Sequence, residues 1–328
     1  MTKEYYTLDT TMKKSEKERL IDDYNREIRS LRFSITTRCN MNCIYCHAEG
    51  EKKDSTQQKV FISAELVTAI ARVASVHFNI NRIKFSGGEP LLRDDLADMV
   101  HGIKEFEGDI SVTTNGTLLS LYAADLADAG LNRVNVSLDS INEERYDFIT
   151  ASTGYLPKVI DGIYAAIDAG LTPLKLNTVL LKGLNEDELT DLIDFVRACN
   201  KRGGRDAVIL QLIELIPSFT QSAQTYKADF HRVEAELAAR ASAIKTRRLQ
   251  HRKKYFVDDV EVEVVHPIDN TEFCANCSRL RITSEGQIKP CLLRHDNLVP
   301  IESEDEEHIL TRLKLAMQYR EPFFQSSF

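Results

Sequence analysis

Short β-rich runs alternate along the chain with longer stretches whose apolar residues recur at helical spacing. The runs predict strands over 31–36, 82–86, 110–113, 134–138, 174–180 and 208–215. Helices are predicted between them, over 64–76, 94–105, 119–129, 159–169 and 187–199. Ser63 stands where an N-cap would open the first, and Ala129-Gly130 and Ala169-Gly170 look like C-terminal stops. Strand–helix units in series imply a parallel sheet. Six of them are too few for an eight-stranded barrel, so the expected fold is α/β, an incomplete (β/α)6 TIM-like barrel. Function should then sit at the C-terminal ends of the strands.

After about residue 217 the pattern changes. Residues 228–244 read as one helix, and 255–265 alternate as a half-buried strand. Two short strands, 279–283 and 287–292, flank a Glu285-Gly286 turn. The expected organisation is a polar N-terminal arm over 1–25, a barrel over 26–217, and a small α+β element over 218–328. Residues 51–59 read as a polar loop, and the acidic stretch 302–307 as a solvated face.

Composition narrows the class. With 328 residues, 43% hydrophobic and 28% charged, the chain is an ordinary globular one. Its net charge of -8 argues against a nucleic-acid binder, while leaving room for a local basic pocket. No uncharged apolar run approaches the ~18 residues of a membrane span. The first twenty residues alternate Lys and Glu without the apolar centre of a signal peptide, so a soluble, cytoplasmic chain is expected.

The chemistry is concentrated in cysteines. Six of the seven form two tight clusters, which in a reducing compartment read as metal ligands. Cys39, Cys43 and Cys46 form a C-x3-C-x2-C loop directly after the first strand. Three thiolates can hold three irons of a cubane and leave the fourth open to a small molecule. A structural zinc is the competing reading, but it prefers four ligands and C-x2-C pairs. His47, adjacent to Cys46, is awkwardly placed as a fourth ligand. Cys274, Cys277 and Cys291 form a C-x2-C-x13-C set. Alone it looks like part of a zinc ribbon, with His295 the local candidate for a fourth ligand; three thiolates again suit a cubane with one open iron. Just beyond, Arg279 and Arg281 share a strand face, where two guanidiniums suit a polyphosphate. Cys199 reads as a buried helix residue.

The first cluster, with Tyr45 before its last Cys, resembles the signature of radical S-adenosylmethionine (SAM) enzymes. In that superfamily the open iron chelates SAM, whose one-electron cleavage yields a 5′-deoxyadenosyl radical. Ser86-Gly87-Gly88-Glu89-Pro90, after the second strand, is similar to the superfamily's SAM-contacting turn. Ser137, ending the fourth strand, matches another SAM contact.

From about Tyr24 to Leu293 the chain resembles one branch closely, the GTP 3′,8-cyclase family of molybdenum-cofactor biosynthesis. The resemblance implies two [4Fe-4S] clusters, SAM as cofactor and GTP as substrate. It implies GTP contacts from Arg32, Lys84, Thr113, Lys175, Arg279 and Arg281, the last two as the catalytic pair. It implies SAM contacts from Tyr45, Gly88, Ser137 and Ile216. Lys84 stands where many members have Arg, and Ile216 where they often have Met. It also implies an electron donor such as flavodoxin or ferredoxin, hand-over to cyclic pyranopterin monophosphate synthase, and allows a homodimer. The chain departs from the family's Gly-Gly end, finishing instead in Pro322-Phe323-Phe324-Gln325-Ser326-Ser327-Phe328. Two other readings stay open on sequence alone: a radical SAM enzyme that modifies a peptide or another cofactor, and a non-catalytic zinc-binding interaction protein.

Overall fold

The structure, a computed structural model, describes residues 17–51, 61–216, 225–247, 252–267 and 271–321. The expected strand–helix series forms. Strand β1 (Ser30–Ser34) is followed by α1 (Ala64–His77), β2 (Arg82–Ser86) by α2 (Leu96–Gly102), and β3 (Asp109–Thr114) by α3 (Leu119–Asp128). Two helices, α4 (Glu143–Thr150) and α5 (Leu156–Asp168), follow β4 (Arg133–Ser137). Next come β5 (Leu174–Leu180), α6 (Leu189–Gly203) and β6 (Val208–Glu214). Strands β1 to β6 pair in sequence order, each parallel to the last. This is the partial barrel that the sequence predicts. The helices pack side by side in the same order, α1 on α2, α2 on α3, α3 on α5 and α5 on α6.

Local chemistry sets the helix ends. Ser63 Oγ accepts from the Leu66 N–H at 3.0 Å and opens α1. Asn142 does the same for Arg145 at 3.1 Å, opening α4, which the sequence reading did not single out. Cys199 is fully buried on α6, as expected.

The C-terminal third differs from expectation in two places. Residues 228–244 are not one helix. Helix α7 (Phe230–Arg240) ends before Ala241, and strand β7 (Ala243–Thr246) follows. Residues 255–265 are not one strand but two, β8 (Lys253–Val257) and β9 (Val260–Val265), paired antiparallel. The turn residues Asp258 and Asp259 both take left-handed backbone, at φ 50° and 65°, which lets the chain reverse within two residues. Short helix α8 (Thr271–Ala275) leads into the hairpin of β10 (Arg279–Ile282) and β11 (Gln287–Lys289), which the sequence anticipates. Then come β12 (Val299–Pro300) and α9 (Glu306–Gln318).

All these strands belong to one sheet, ordered β12-β11-β10-β1-β2-β3-β4-β5-β6-β9-β8-β7. The C-terminal third therefore extends the barrel at both edges, β10 parallel to β1 and β9 parallel to β6. Residues 17–25, expected as part of a polar arm, are held to the barrel. Leu20 is buried in the main core, and bridges join Glu18 to Phe78 and Ile21 to Glu27. The rest of the expected N-terminal arm, residues 1–16, most of the expected 51–59 loop and the tail 322–328 lie outside the described residues. Among the described residues no helix is long and apolar enough to cross a membrane.

Candidate active site

Side chains alternate across a strand, and the barrel strands use that alternation consistently. Leu31 and Phe33, Ile83 and Phe85, Val134 and Val136, and Leu174 and Leu176 are buried in the apolar core. The intervening residues of the same strands, among them Arg32, Lys84, Asn135 and Lys175, line a cavity of about 680 Å³. Thr113, Ser137, Tyr45 and Ile216 line it from the barrel, and Arg279, Arg281, Cys274, Cys277 and Cys291 from the C-terminal third. The GTP and SAM contacts expected from sequence thus face one space, except Gly88.

The loop after β1 carries the first cysteines. It is pinned to the end of α4, with Asn42 N–H to Thr150 O at 3.1 Å and Ile44 N–H to Ile149 O at 3.0 Å. The Tyr45 hydroxyl donates to Asp139 Oδ2 at 2.5 Å, tying the loop to the end of β4. Burial pushes the Asp139 carboxyl up to about 6, against the hydrogen bonds from Tyr45 and the Val179 N–H. Burial, then Asp139 and the neighbouring Cys46 and Cys39, push the Cys43 thiol far above the ordinary range. Positive charge arriving with a metal would relieve that penalty on Cys43.

Gly87 and Gly88 lie against the same loop from below. Cβ atoms there would sit 2.4 Å from Thr36 O and 2.1 Å from Arg38 O. Gly88 does not line the cavity; its lack of a side chain lets two backbone segments touch. Glu89, fully buried, accepts from Leu91 N–H at 3.0 Å, Thr114 Oγ1 at 2.7 Å and Asn115 N–H at 2.6 Å. Asn115 Nδ2 then donates to Asn40 Oδ1, inside the Cys loop, at 2.7 Å. The β2 and β3 turns thereby position the cysteines.

The cavity wall is cationic. In register, Arg32 stands between Arg281 and Lys84. Lys84, Arg279 and Arg281 form no side-chain ion pair among the described residues. Burial, then mutual repulsion with Arg32 and the other cations, pushes Lys84 and Arg279 well below their ordinary values. Arg32 Nε, Arg281 Nε and Thr113 Oγ1 are buried without a hydrogen-bond partner. Buried cations without ion pairs and orphaned donors give this wall the chemistry to receive an anion.

Two counter-ions were missed by sequence reasoning. Glu263, fully buried on β9, takes Lys175 at ion-pair distance, Arg252 at 3.2 Å and Arg247 at 3.3 Å. Burial would raise its carboxyl, but these cations hold it at about 2. Lys175 is pushed down to about 8 by burial, against Glu263. The signal was the Val-Glu-Val-Glu-Val-Val alternation of β9, read as half-buried when all six positions are buried. Glu49 pairs with Arg32 at 3.0 Å and stands in left-handed backbone at φ 52°. Burial acts against its charge, yet Arg32, His47 and the Arg281–Arg279 pair hold it at about 2.

The second cysteine loop has basic surroundings. Cys277 N–H donates to Cys274 O at 3.1 Å, closing the turn. Burial raises the Cys277 thiol, but Arg320, the Arg279 backbone and the Arg281 and Arg279 charges bring it below the ordinary value.

Comparison with known proteins agrees with this geometry. Residues 33–196 match the radical SAM superfamily, and residues 208–325 match the family described as Molybdenum Cofactor Synthesis C. The "Probable GTP 3′,8-cyclase" of Methanocella arvoryzae is 47% identical over 307 residues, covering 94% of this chain and 95% of that one. The protein of the same description from Methanosarcina mazei is 48% identical over 313 residues, covering 94% and 91%. The chain belongs to the GTP 3′,8-cyclase family of the radical SAM superfamily. Solved structures share the fold. SuiB of Streptococcus suis bound to S-adenosylmethionine superposes with a TM-score of 0.61 at 16% identity, over 82% of this chain and 61% of that one. Native anSMEcpe with bound AdoMet gives 0.58 at 15% identity, over 87% and 79%.

The donor sets fit the clusters this radical SAM family uses. Each set is three cysteines on one loop or hairpin, and each is short of one ligand for a closed four-thiolate site. Among the described residues no three Cys, His, Asp or Glu side chains converge on a single-ion point. A cubane does not require that, because each thiolate meets its own iron.

Proposed function

We propose that this chain is a radical SAM GTP 3′,8-cyclase. It converts GTP to (8S)-3′,8-cyclo-7,8-dihydroguanosine 5′-triphosphate, the first step of molybdenum cofactor biosynthesis. The reading is supported above all by one observation. Lys84 of β2 and Arg279 and Arg281 of β10, without ion pairs among the described residues, meet the second cysteine set across a single cavity, with Arg32 of β1 between them.

Cys39, Cys43 and Cys46 hold one [4Fe-4S] cluster, and Cys274, Cys277 and Cys291 the other. When bound, the first cluster and SAM supply one-electron chemistry for hydrogen removal at the ribose. Tyr45, Ser137 and Ile216 cradle SAM, and Gly88 sets the backbone approach beneath it. Arg32, Lys84, Lys175, Arg279 and Arg281 neutralise the triphosphate, with Thr113 as a further polar contact. Binding replaces cation–cation repulsion by charge-assisted hydrogen bonds, which makes the cavity selective for a highly charged nucleotide. The residues hold ribose and purine in fixed relation while the wall keeps water out. Residues 26–217 act as the SAM-binding part and 218–328 as the part that receives the purine. The cytoplasm, a homodimer, a flavodoxin or ferredoxin as electron donor, and hand-over to cyclic pyranopterin monophosphate synthase complete the proposal.

The test is anaerobic incubation of cluster-reconstituted protein with SAM, a strong reductant and either GTP or ATP. The expected result is 5′-deoxyadenosine formed with GTP only, together with a nucleotide of GTP's mass and altered retention. SAM cleavage that is indifferent to GTP would overturn the cyclase reading.

A further inference from the structure

The second cysteine loop rests on a buried charge triad that joins the two ends of the described chain. Asp22, Arg26 and Arg320 have side chains 0%, 7% and 2% exposed. Asp22 Oδ2 accepts from Arg26 Nε at 2.7 Å and faces Arg320 Nε at 3.3 Å. Its other oxygen accepts the Arg26 and Tyr24 backbone N–H groups at 2.9 and 3.1 Å. The two arginines then reach the ligand loop. Arg26 Nη1 donates to Cys274 O at 3.3 Å, and Arg320 Nη2 donates to Cys277 O at 2.9 Å. Arg26 Nη2 also ties down Glu321 O at 2.7 Å.

Two features give the triad more than a fastening role. It carries two positive charges against one negative, out of water, beside three thiol ligands. And Arg320 Nη1 is a buried donor with no partner, on a side chain that lines the cavity with Cys277 and Cys291. A buried guanidinium N–H seldom stays unmade, and a cysteinate or cluster sulfide is an acceptor of the right charge.

We infer that Asp22, Arg26 and Arg320 are positioning residues that set the reduction potential of the second cluster. The net positive charge and the Arg320 Nη1 hydrogen bond stabilise the more negative, reduced cluster and raise its potential, while Asp22 moderates them. The inference rests on the reading of Cys274, Cys277 and Cys291 as iron–sulfur ligands.

The test uses the full chain carrying Cys39→Ala, Cys43→Ala and Cys46→Ala, which leaves the second cluster as the only paramagnetic centre on reduction. Iron content is measured first, then the midpoint potential by electron paramagnetic resonance titration. Arg320→Gln should make the cluster harder to reduce, by about tenfold in the equilibrium, or ~59 mV for one electron. Asp22→Asn should shift it the opposite way, and Arg320→Lys should stay near the parent. A merely structural triad would give iron loss in both variants with no opposed shifts. Unchanged or same-sign potentials in Arg320→Gln and Asp22→Asn would overturn the inference. A parent that binds no iron would overturn it together with the ligand reading. Should Arg320→Gln fail to fold, the upward shift in Asp22→Asn still decides.

Discussion

The two cysteine loops sit in opposite electrical surroundings. The first is backed by one acid, Asp139 behind Tyr45, which with burial pushes the Cys43 thiol far up. The second lies among arginines, and its Cys277 thiol is drawn toward the thiolate. Two sets of three cysteines therefore need not be similar sites. At the first loop, burial and Asp139 oppose ionisation of Cys43, so its charge comes with the metal. The second has its compensating charge built in, and that same charge faces the cavity where a polyanion would bind.

Substitutions should separate the two loops. The largest effect is expected from the ligands themselves. Cys43→Ser should abolish SAM cleavage and remove one cluster's worth of iron. Cys277→Ser should remove the other while leaving reductant-driven SAM cleavage measurable. Loss of both clusters from either change would erase the contrast. Next, Arg281→Ala should weaken GTP binding roughly 10- to 100-fold, the scale of a lost charge-assisted hydrogen bond. SAM cleavage without GTP should be unaffected, as equilibrium binding and 5′-deoxyadenosine assays would show. Asp139→Asn should be smaller, lowering stability by about 1–3 kcal/mol through the buried Tyr45 and Val179 hydrogen bonds. Thermal unfolding would read it, with second-cluster iron unchanged.

The smallest effect is in pH. Loading iron onto a thiol releases its proton, and a raised thiol releases more of it near neutrality. First-site occupancy in reconstitution, which must displace the raised Cys43 proton, should therefore climb more steeply between about pH 7 and 9 than second-site occupancy, where nearby arginines lower the Cys277 thiol. Site-resolved iron counting in the two cysteine-variant backgrounds would check this, and parallel curves would remove the electrostatic distinction.

Much of this was readable before the fold. The β/α series shows in the sequence because most barrel strands put apolar residues on the outer face and polar ones on the inner face, with Ile209 and Ile213 of β6 among the exceptions. The cysteine spacings and the Arg279–Arg281 pair are local, so they too are visible. What escaped depends on distance or on weak pattern. Strand β7 is exposed at all four positions, so nothing in its alternation marks it apart from the preceding helix. The β8–β9 turn hides because Asp258-Asp259 interrupts the alternation without Gly or Pro. Glu263 is a buried charge whose partners are Lys175 on β5 and Arg247 and Arg252, the first of them far from it in sequence. Asp22 and Arg320 meet across nearly the whole chain, and no local signal announces them.

The sheet order also has a consequence for how the protein is made. Ser30 on β1 waits for Arg279, and Leu210 on β6 waits for Val262. At a synthesis rate of roughly 5–20 residues per second, the β1 edge stays unpaired for roughly 10–50 s after it is made. During that interval the nascent barrel offers an open parallel edge, the kind of template on which chains join one another. Truncation after residue 217 would make that interval permanent.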